Sequence, residues 1–166
     1  MKVNIEIRFT DVDSQNHVNH TAIVAWIAHA RVKLIDEKVN QYDNKNLELD
    51  YVLANMEINF HKEVFYPGTI EVSSRVLNVG SKSLTTEFFV YNNDDDLVAE
   101  AQCINVFFRI SSKKSVIIPD KLKEILMKKN GCNIVTKQNG NKFLADRAIM
   151  ISSPAAPIER LSISSG

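Results

Sequence analysis

At 166 residues, with 45% apolar and 24% charged side chains, the chain fits one globular domain that can bury a core without disulfide or metal staples. Its 20 basic and 20 acidic residues give a formal net charge of zero, which removes any global drive toward nucleic acid or an anionic membrane. The amino terminus alternates polar and apolar residues instead of carrying a signal-like apolar segment, and the longest aliphatic or aromatic run, residues 22–28, is far short of a bilayer span. A cytoplasmic protein with no nucleic-acid partner is expected.

Val3, Ile5, Ile7 and Phe9 alternate with Asn4, Glu6 and Arg8, the period-two pattern of a strand with one buried face. The polar stretch 10–15 interrupts it. From Asn19 or His20 to Val39 the period becomes helical, with Ile23, Trp26, Ile27, Ala30 and Leu34 on one face. Lys33, Asp36, Glu37 and Lys38 appear only in the second half. The first half is apolar nearly all round and requires burial on several sides. Residues 43–46 read as loop. Ala54, Met56, Ile58 and Phe60 alternate with polar neighbours as the next strand, and Tyr66, Pro67 and Gly68 turn the chain. Residues 69–79 form another strand, with a bulge expected where alternation slips at Val76 and Leu77. Gly80, Ser81 and Lys82 turn into a strand over 83–91, the NNDDD loop follows at 92–96, and 97–110 is a long last strand. Pro119 opens a short helix over 120–129.

Residues 130–166 differ, broken by Gly131, Gly140, Pro154 and Pro157, with room for a short helix over 143–149. They are read as a partly mobile appendage to a domain of residues 1–129. An early helix followed by strands in antiparallel succession is an α+β order. A curved antiparallel sheet wrapped around the very apolar helix follows from it.

Asp11 and Asp13 lie just beyond the first strand, where Asp commonly serves turns and caps. His17, Asn19 and His20 sit at or before the helix start. Asn19 suits the N-cap, its side chain accepting an amide two or three residues on. The remaining free amides of the first turn, at the positive end of the helix dipole, suit a carbonyl oxygen that develops negative charge. Asp11, Asp13, His17 and His20 can be drawn as a zinc site. Yet the segment is not HExxH and no cysteine cluster accompanies it, so no metal is expected. His29 and His61 read as structural or interface residues, and Cys103 as a core residue that forms no disulfide framework with Cys132. No GxSxG, P-loop or GxGxxG is present.

The segment RFTDVDSQNHVNH, residues 8–20, with Ala30-Arg31 closing the pattern on the helix that follows, resembles the R-[YF]-x-D-x-D-x-x-G-H-V-N-N signature of hotdog-fold acyl-CoA thioesterases of the 4-hydroxybenzoyl-CoA thioesterase type. Residues 60–68, the stretch from Arg75 to Ser83, and Ile118-Pro119 resemble later parts of the same pattern, so the likeness spans about residues 1–129. The resemblance implies a five-stranded hotdog domain, at least dimeric (homodimer or homotetramer), that hydrolyses an acyl-CoA thioester. No cofactor is implied, CoA being part of the substrate. It implies Asp13 as nucleophile or general base, His17 and Asn19 as polar residues around the thioester, and Val18 as an oxyanion-hole amide. His20 is placed at the substrate, and Gly80, Ser81, Lys82 and Ser83 near the pantetheine or phosphate end of CoA. Plant acyl-carrier-protein thioesterases carry a similar DVNQHVNN motif. A carrier-protein thioesterase, or a module that binds acyl-CoA without hydrolysis, is therefore the alternative. The chain departs from the pattern at Asn16, where Gly is usual, at His20 for Asn, at Ile23 for Tyr, and at Ala28 or His29 for Glu. Asn tolerates a left-handed backbone better than most residues.

Overall fold

The computed structural model describes residues 1–42 and 48–128. The loop expected at 43–46, the last residue of the expected C-terminal helix, Cys132 and the whole 130–166 appendage lie outside the described residues.

Five strands form one antiparallel sheet in the order β1-β3-β4-β5-β2. They are β1 (Lys2–Glu6), β2 (Leu49–Phe60), β3 (Thr69–Val79), β4 (Ser83–Tyr91) and β5 (Leu97–Arg109), with helices α1 (His20–Val39) and α2 (Asp120–Met127). The chain leaves β1 at one edge of the sheet, runs through α1, and begins β2 at the opposite edge. It must then return across the end of the sheet to reach β3 beside β1. Residues 61–68 make that return, and they become one wall of the site.

The expected first strand is shorter than its alternation. β1 stops at Glu6, and Phe9 begins a 3-10 turn, Phe9–Asp11, with its ring 76% exposed. Asp11 takes hold of Arg8, and this local pairing bends the chain before Phe9 can join the apolar face. Ile7 stays buried, its amide donating to the Gly68 carbonyl at 2.9 Å.

β2 begins five residues earlier than the alternation from Ala54 indicates. Ala54 is the extra residue of a bulge, because Leu53 pairs with Asn105 and Asn55 already pairs with Ile104. Leu49, Tyr51 and Leu53 face inward before it, and Met56 and Ile58 after it, so the parity changes within one strand. The bulge expected in β3 is present at Leu77, between the pairs Val76–Thr86 and Asn78–Thr85.

α1 buries Ile23, Trp26, Ile27, Ala30, Leu34 and Ile35 against the sheet, and Ile27, Phe88 and Phe107 are fully enclosed. Each such side chain contributes about 1.5–3 kcal/mol by leaving water. The opposite stripe, Ala25, His29 and Val32, stays exposed in the single chain. The core divides into two apolar clusters along α1. One surrounds Ile27 and Phe88, the other joins Ile35, Leu84 and Phe107 to Ile118, Leu122 and Leu126 beneath α2. Lys38, almost wholly buried, donates from Nζ to the carbonyls of Ile125 (3.1 Å) and Lys128 (2.8 Å), closing the end of α2 onto α1. Burial there pushes its ammonium below the ordinary lysine range. Among the described residues, no helix is long and apolar enough to cross a membrane.

Candidate active site

The segment between β1 and α1 folds back on itself. Val12 and Val18 form an antiparallel bridge, the Asp13 amide donates to the His17 carbonyl at 2.8 Å, and the Asn19 amide donates to the Asp11 carbonyl at 2.8 Å. The tip needs a left-handed residue, and Asn16 supplies it at φ 65°. The usual Gly is thus replaced by a residue that tolerates the same backbone.

The two carboxylates of this segment have different duties. Asp11 is buried and held by Arg8, whose Nη2 lies 2.8 Å from Oδ1 and whose Nε and backbone amide reach Oδ2 at 3.3 and 2.9 Å. The Arg8 hydrogen bonds hold the Asp11 carboxyl below the ordinary carboxylate range. Asp13 is partly exposed. Its Oδ1 accepts the Gln15 amide at 2.8 Å and, at 3.4 Å, the His17 amide, while Oδ2 has no donor among the described residues. Asp11 therefore shapes the turn and Asp13 keeps an open lone pair.

Asn19 caps α1. Its Oδ1 accepts the Thr21 amide at 2.8 Å and the Thr21 hydroxyl at 2.7 Å. Its side chain serves the helix end. The Val18 amide, matched by resemblance to an oxyanion-hole donor, points instead into the 61–68 return and donates to the Val64 carbonyl at 2.8 Å. The bridge to Val12 fixes the direction of the Val18 N–H. The His20 N–H, at the start of α1, has no acceptor among the described residues. An orphan amide at that place carries the positive end of the helix dipole.

The return loop supplies residues that the motif alone did not single out. His17 packs edge-on against Phe65, with ring centroids 5.2 Å apart, and its Nε2 lies 3.6 Å from a Glu63 carboxylate oxygen. His20 stands edge-on to Phe60 at 6.3 Å, and Phe9 to Tyr66 at 6.0 Å, beside a cis Tyr66–Pro67 bond. Phe9, Phe60, Phe65 and Tyr66 are all substantially exposed, an apolar rim on one end of the sheet. The alternation of β2 and the 66–68 turn marked where this loop lies; nothing in the sequence said that it would cross beneath His17.

Gly80, Ser81, Lys82 and Ser83 are not part of this cluster within one chain. β3 pairs with Glu6 at its first residue and reaches the 80–83 turn only at its far end. Eleven strand residues separate the two ends by roughly 30 Å. There Ser81 and Lys82 accept the amides of Ile118 (2.8 Å) and Phe107 (2.9 Å) through their carbonyls, while the Gly80 amide donates to Ser83 at 2.8 Å. A Cβ on Gly80 would stand 2.9 Å from the Ser83 hydroxyl. Among the described residues, no three of His, Cys, Asp and Glu gather closely enough to hold a metal ion.

A sequence model of the thioesterase-like superfamily matches residues 7–126. An Aquifex aeolicus protein named as a candidate esterase is 24% identical over 121 residues, covering 72% of this chain and 92% of its own length. A Thermus thermophilus thioesterase solved with coenzyme A and zinc is similar with TM-score 0.65 and 20% identity, over 76% of this chain and 97% of that one. A DHNA-CoA thioesterase from Staphylococcus aureus is similar with TM-score 0.61 and 18% identity, over 70% and 78%. These likenesses agree with the sheet order and the helix it enfolds. The chain belongs to the thioesterase-like superfamily, in its hotdog fold.

Proposed function

We propose that the protein hydrolyses an acyl-CoA thioester to the free acid and CoA, with Asp13 as the carboxylate and the His20 amide as oxyanion donor. Superfamily membership carries thioester hydrolysis in general. The observation that carries the rest is the pairing of an open carboxylate oxygen on Asp13 with an unclaimed N–H at the start of α1, on one short hairpin.

The ladder that sets Asp13 opposite His17 and Asp11 opposite Asn19 leaves Asp13 and His20 about three residues apart, roughly 10 Å along the backbone. A thioester carbonyl and a water fit between groups at that spacing. The carboxylate takes a proton from the water, and the water oxygen bonds to the carbonyl carbon. The carbonyl oxygen gains charge and is held by the His20 N–H. Collapse of the tetrahedral adduct breaks the C–S bond, and the departing thiolate of CoA takes the proton held by Asp13, which restores the carboxylate. The ring pair His17–Phe65 and the exposed rim of Phe60 and Tyr66 place apolar surface beside these groups, against which an acyl chain can lie.

The substrate is read as a CoA ester because a structural neighbour was solved with coenzyme A. Thiol release from a panel of acyl-CoA and acyl-carrier-protein thioesters tests this. Turnover of the carrier-protein esters alone would move the substrate to that class. Binding without turnover of any thioester would make the chain a binding module.

A further inference from the structure

Midway along α1, the interior holds a polar pair that the catalytic reading does not use. Arg31 reaches from the helix to β5, its Nη1 donating to Asn105 Oδ1 at 2.7 Å. Asn105 is fully buried. The Nε of Arg31 and the Nδ2 of Asn105 are both shielded from solvent and have no hydrogen-bond partner among the described residues. The guanidinium also leans over the Tyr51 ring at 5.8 Å, and no carboxylate among the described residues lies within ion-pair distance of it. Asp36, farther along α1, accepts the Tyr51 hydroxyl at 2.7 Å.

Both orphaned atoms are donors. Asn105 cannot be turned round to cure the deficit, because its oxygen is already fixed by Arg31, and a guanidinium offers donors only. What is missing is an acceptor, and a half-buried cation without a counter-ion favours a negatively charged one.

The position of the pair gives it a meaning. Asn105 is flanked by Leu53 on β2 and Leu84 on β4, and Cys103 and Phe107 precede and follow it on the inner face of β5. Cys103 and Leu53 belong to the apolar cluster on the catalytic side, Leu84 and Phe107 to the cluster under α2. The pair therefore sits at the seam between the two. Along the helix it lies eleven residues from His20, about 16 Å at the rise of an α-helix.

We propose that Arg31 and Asn105 form a recognition site for a carboxylate at the far end of the acyl group, so that the preferred substrates are thioesters of dicarboxylic acids. The inference rests on the thioesterase reading for its substrate, but the anion site stands on the two orphaned donors. The unpartnered Arg31 Nε and Asn105 Nδ2 both donate to the carboxylate, and the methylenes between run toward His20 alongside the apolar cluster on α1. A keto or hydroxyl oxygen offers the same two donors a weaker acceptor.

The test uses the full chain and pairs of CoA thioesters of equal carbon number, one ending in methyl and one in carboxylate, over roughly 8–16 carbons to bracket the helical distance. The carboxylate-ended ester is expected to show kcat/KM about tenfold or more higher at one length. In Arg31→Gln that ratio falls to about one. Asn105→Asp keeps the shape of the side chain and supplies Arg31 with its own carboxylate, so it too brings the ratio to about one while raising Tm. A second measurement needs no turnover: free dicarboxylates raise the Tm of the wild type and not of either variant. That shift in a protein that cleaves no thioester would refute the hydrolase reading and uphold the anion site. Equal kcat/KM for the two esters, with no Tm response to dicarboxylates, would overturn the proposal and leave a buried water as the missing acceptor.

Discussion

The Val18 amide and the Val64 carbonyl meet at 2.8 Å, tying the hairpin that carries Asp13 to the loop that crosses from one sheet edge to the other. Two segments distant in sequence are thereby locked at the N-terminus of α1. The bond also occupies the Val18 N–H within the chain, while the His20 N–H at the start of α1 has no acceptor among the described residues.

Asp13→Asn should lower thioester turnover by roughly 10²-fold or more. The fold should survive, because Asn keeps an oxygen for the Gln15 amide. Thiol release and a melting curve on the same preparation check both halves. Full activity in the variant would remove Asp13 from the mechanism.

Asp11 predicts an acid limit to stability. Its carboxyl is held below the ordinary value, first by the Arg8 side chain, so the pair's contribution is complete above the unfolded carboxylate pKa and is lost as pH falls through the folded one. The Tm gap between wild type and Asp11→Asn should stay level from about pH 8 to about pH 5 and close below about pH 4. Arg8 is exposed, so added salt should narrow the gap.

At Asn16 the backbone decides the outcome. With φ at 65°, Asn16→Gly should change stability by only a few tenths of a kcal/mol, whereas Asn16→Val should cost about 1–2 kcal/mol by forcing a branched side chain into the left-handed region. Denaturant midpoints of the two variants make the comparison. Equal costs would mean the tip relaxes to another turn.

Lys38 caps α2 from below. Lys38→Ala loses both the hydrogen bonds and the buried stem, and should cost about 1–3 kcal/mol. Lys38→Met retains the stem and should cost less. Chemical denaturation ranks them, and an unchanged midpoint in Lys38→Ala would show that the carbonyls of Ile125 and Lys128 find other donors.

Association is expected as well. β2 lies at one edge of the sheet, and Ala25, His29 and Val32 leave an open stripe on α1. An edge of that length is a pairing site unless covered, and a two-fold axis would join two of them. Light scattering should give twice the chain mass or more at micromolar concentration. A fully active monomer would sink this expectation.

The sequence announced much of this where local chemistry and global fold agree. The N-cap at Asn19, the left-handed tolerance of Asn16 and the slip at Leu77 were legible because each is decided within a few residues. Phe9 misled because its alternation was genuine while the Arg8–Asp11 pairing bent the chain first. The partner of the Val18 N–H was hidden for a different reason: it lies on Val64, and no local pattern specifies a partner so far along the chain. The orphaned donors of Arg31 and Asn105 were hidden likewise, since only the packed interior reveals a donor without an acceptor.

The bulge at Ala54 makes β2 two half-strands written in opposite phase. Upstream of it odd-numbered positions face α1, and downstream even-numbered ones do. Substitutions at Ala54 therefore have wide latitude, but deletion of that one residue does not. It would turn either half about its axis, carrying Leu49, Tyr51 and Leu53 to solvent or Met56 and Ile58 away from the core. Length at this point is under tighter constraint than identity, and the strand's reading frame is kept by a residue whose side chain does almost nothing.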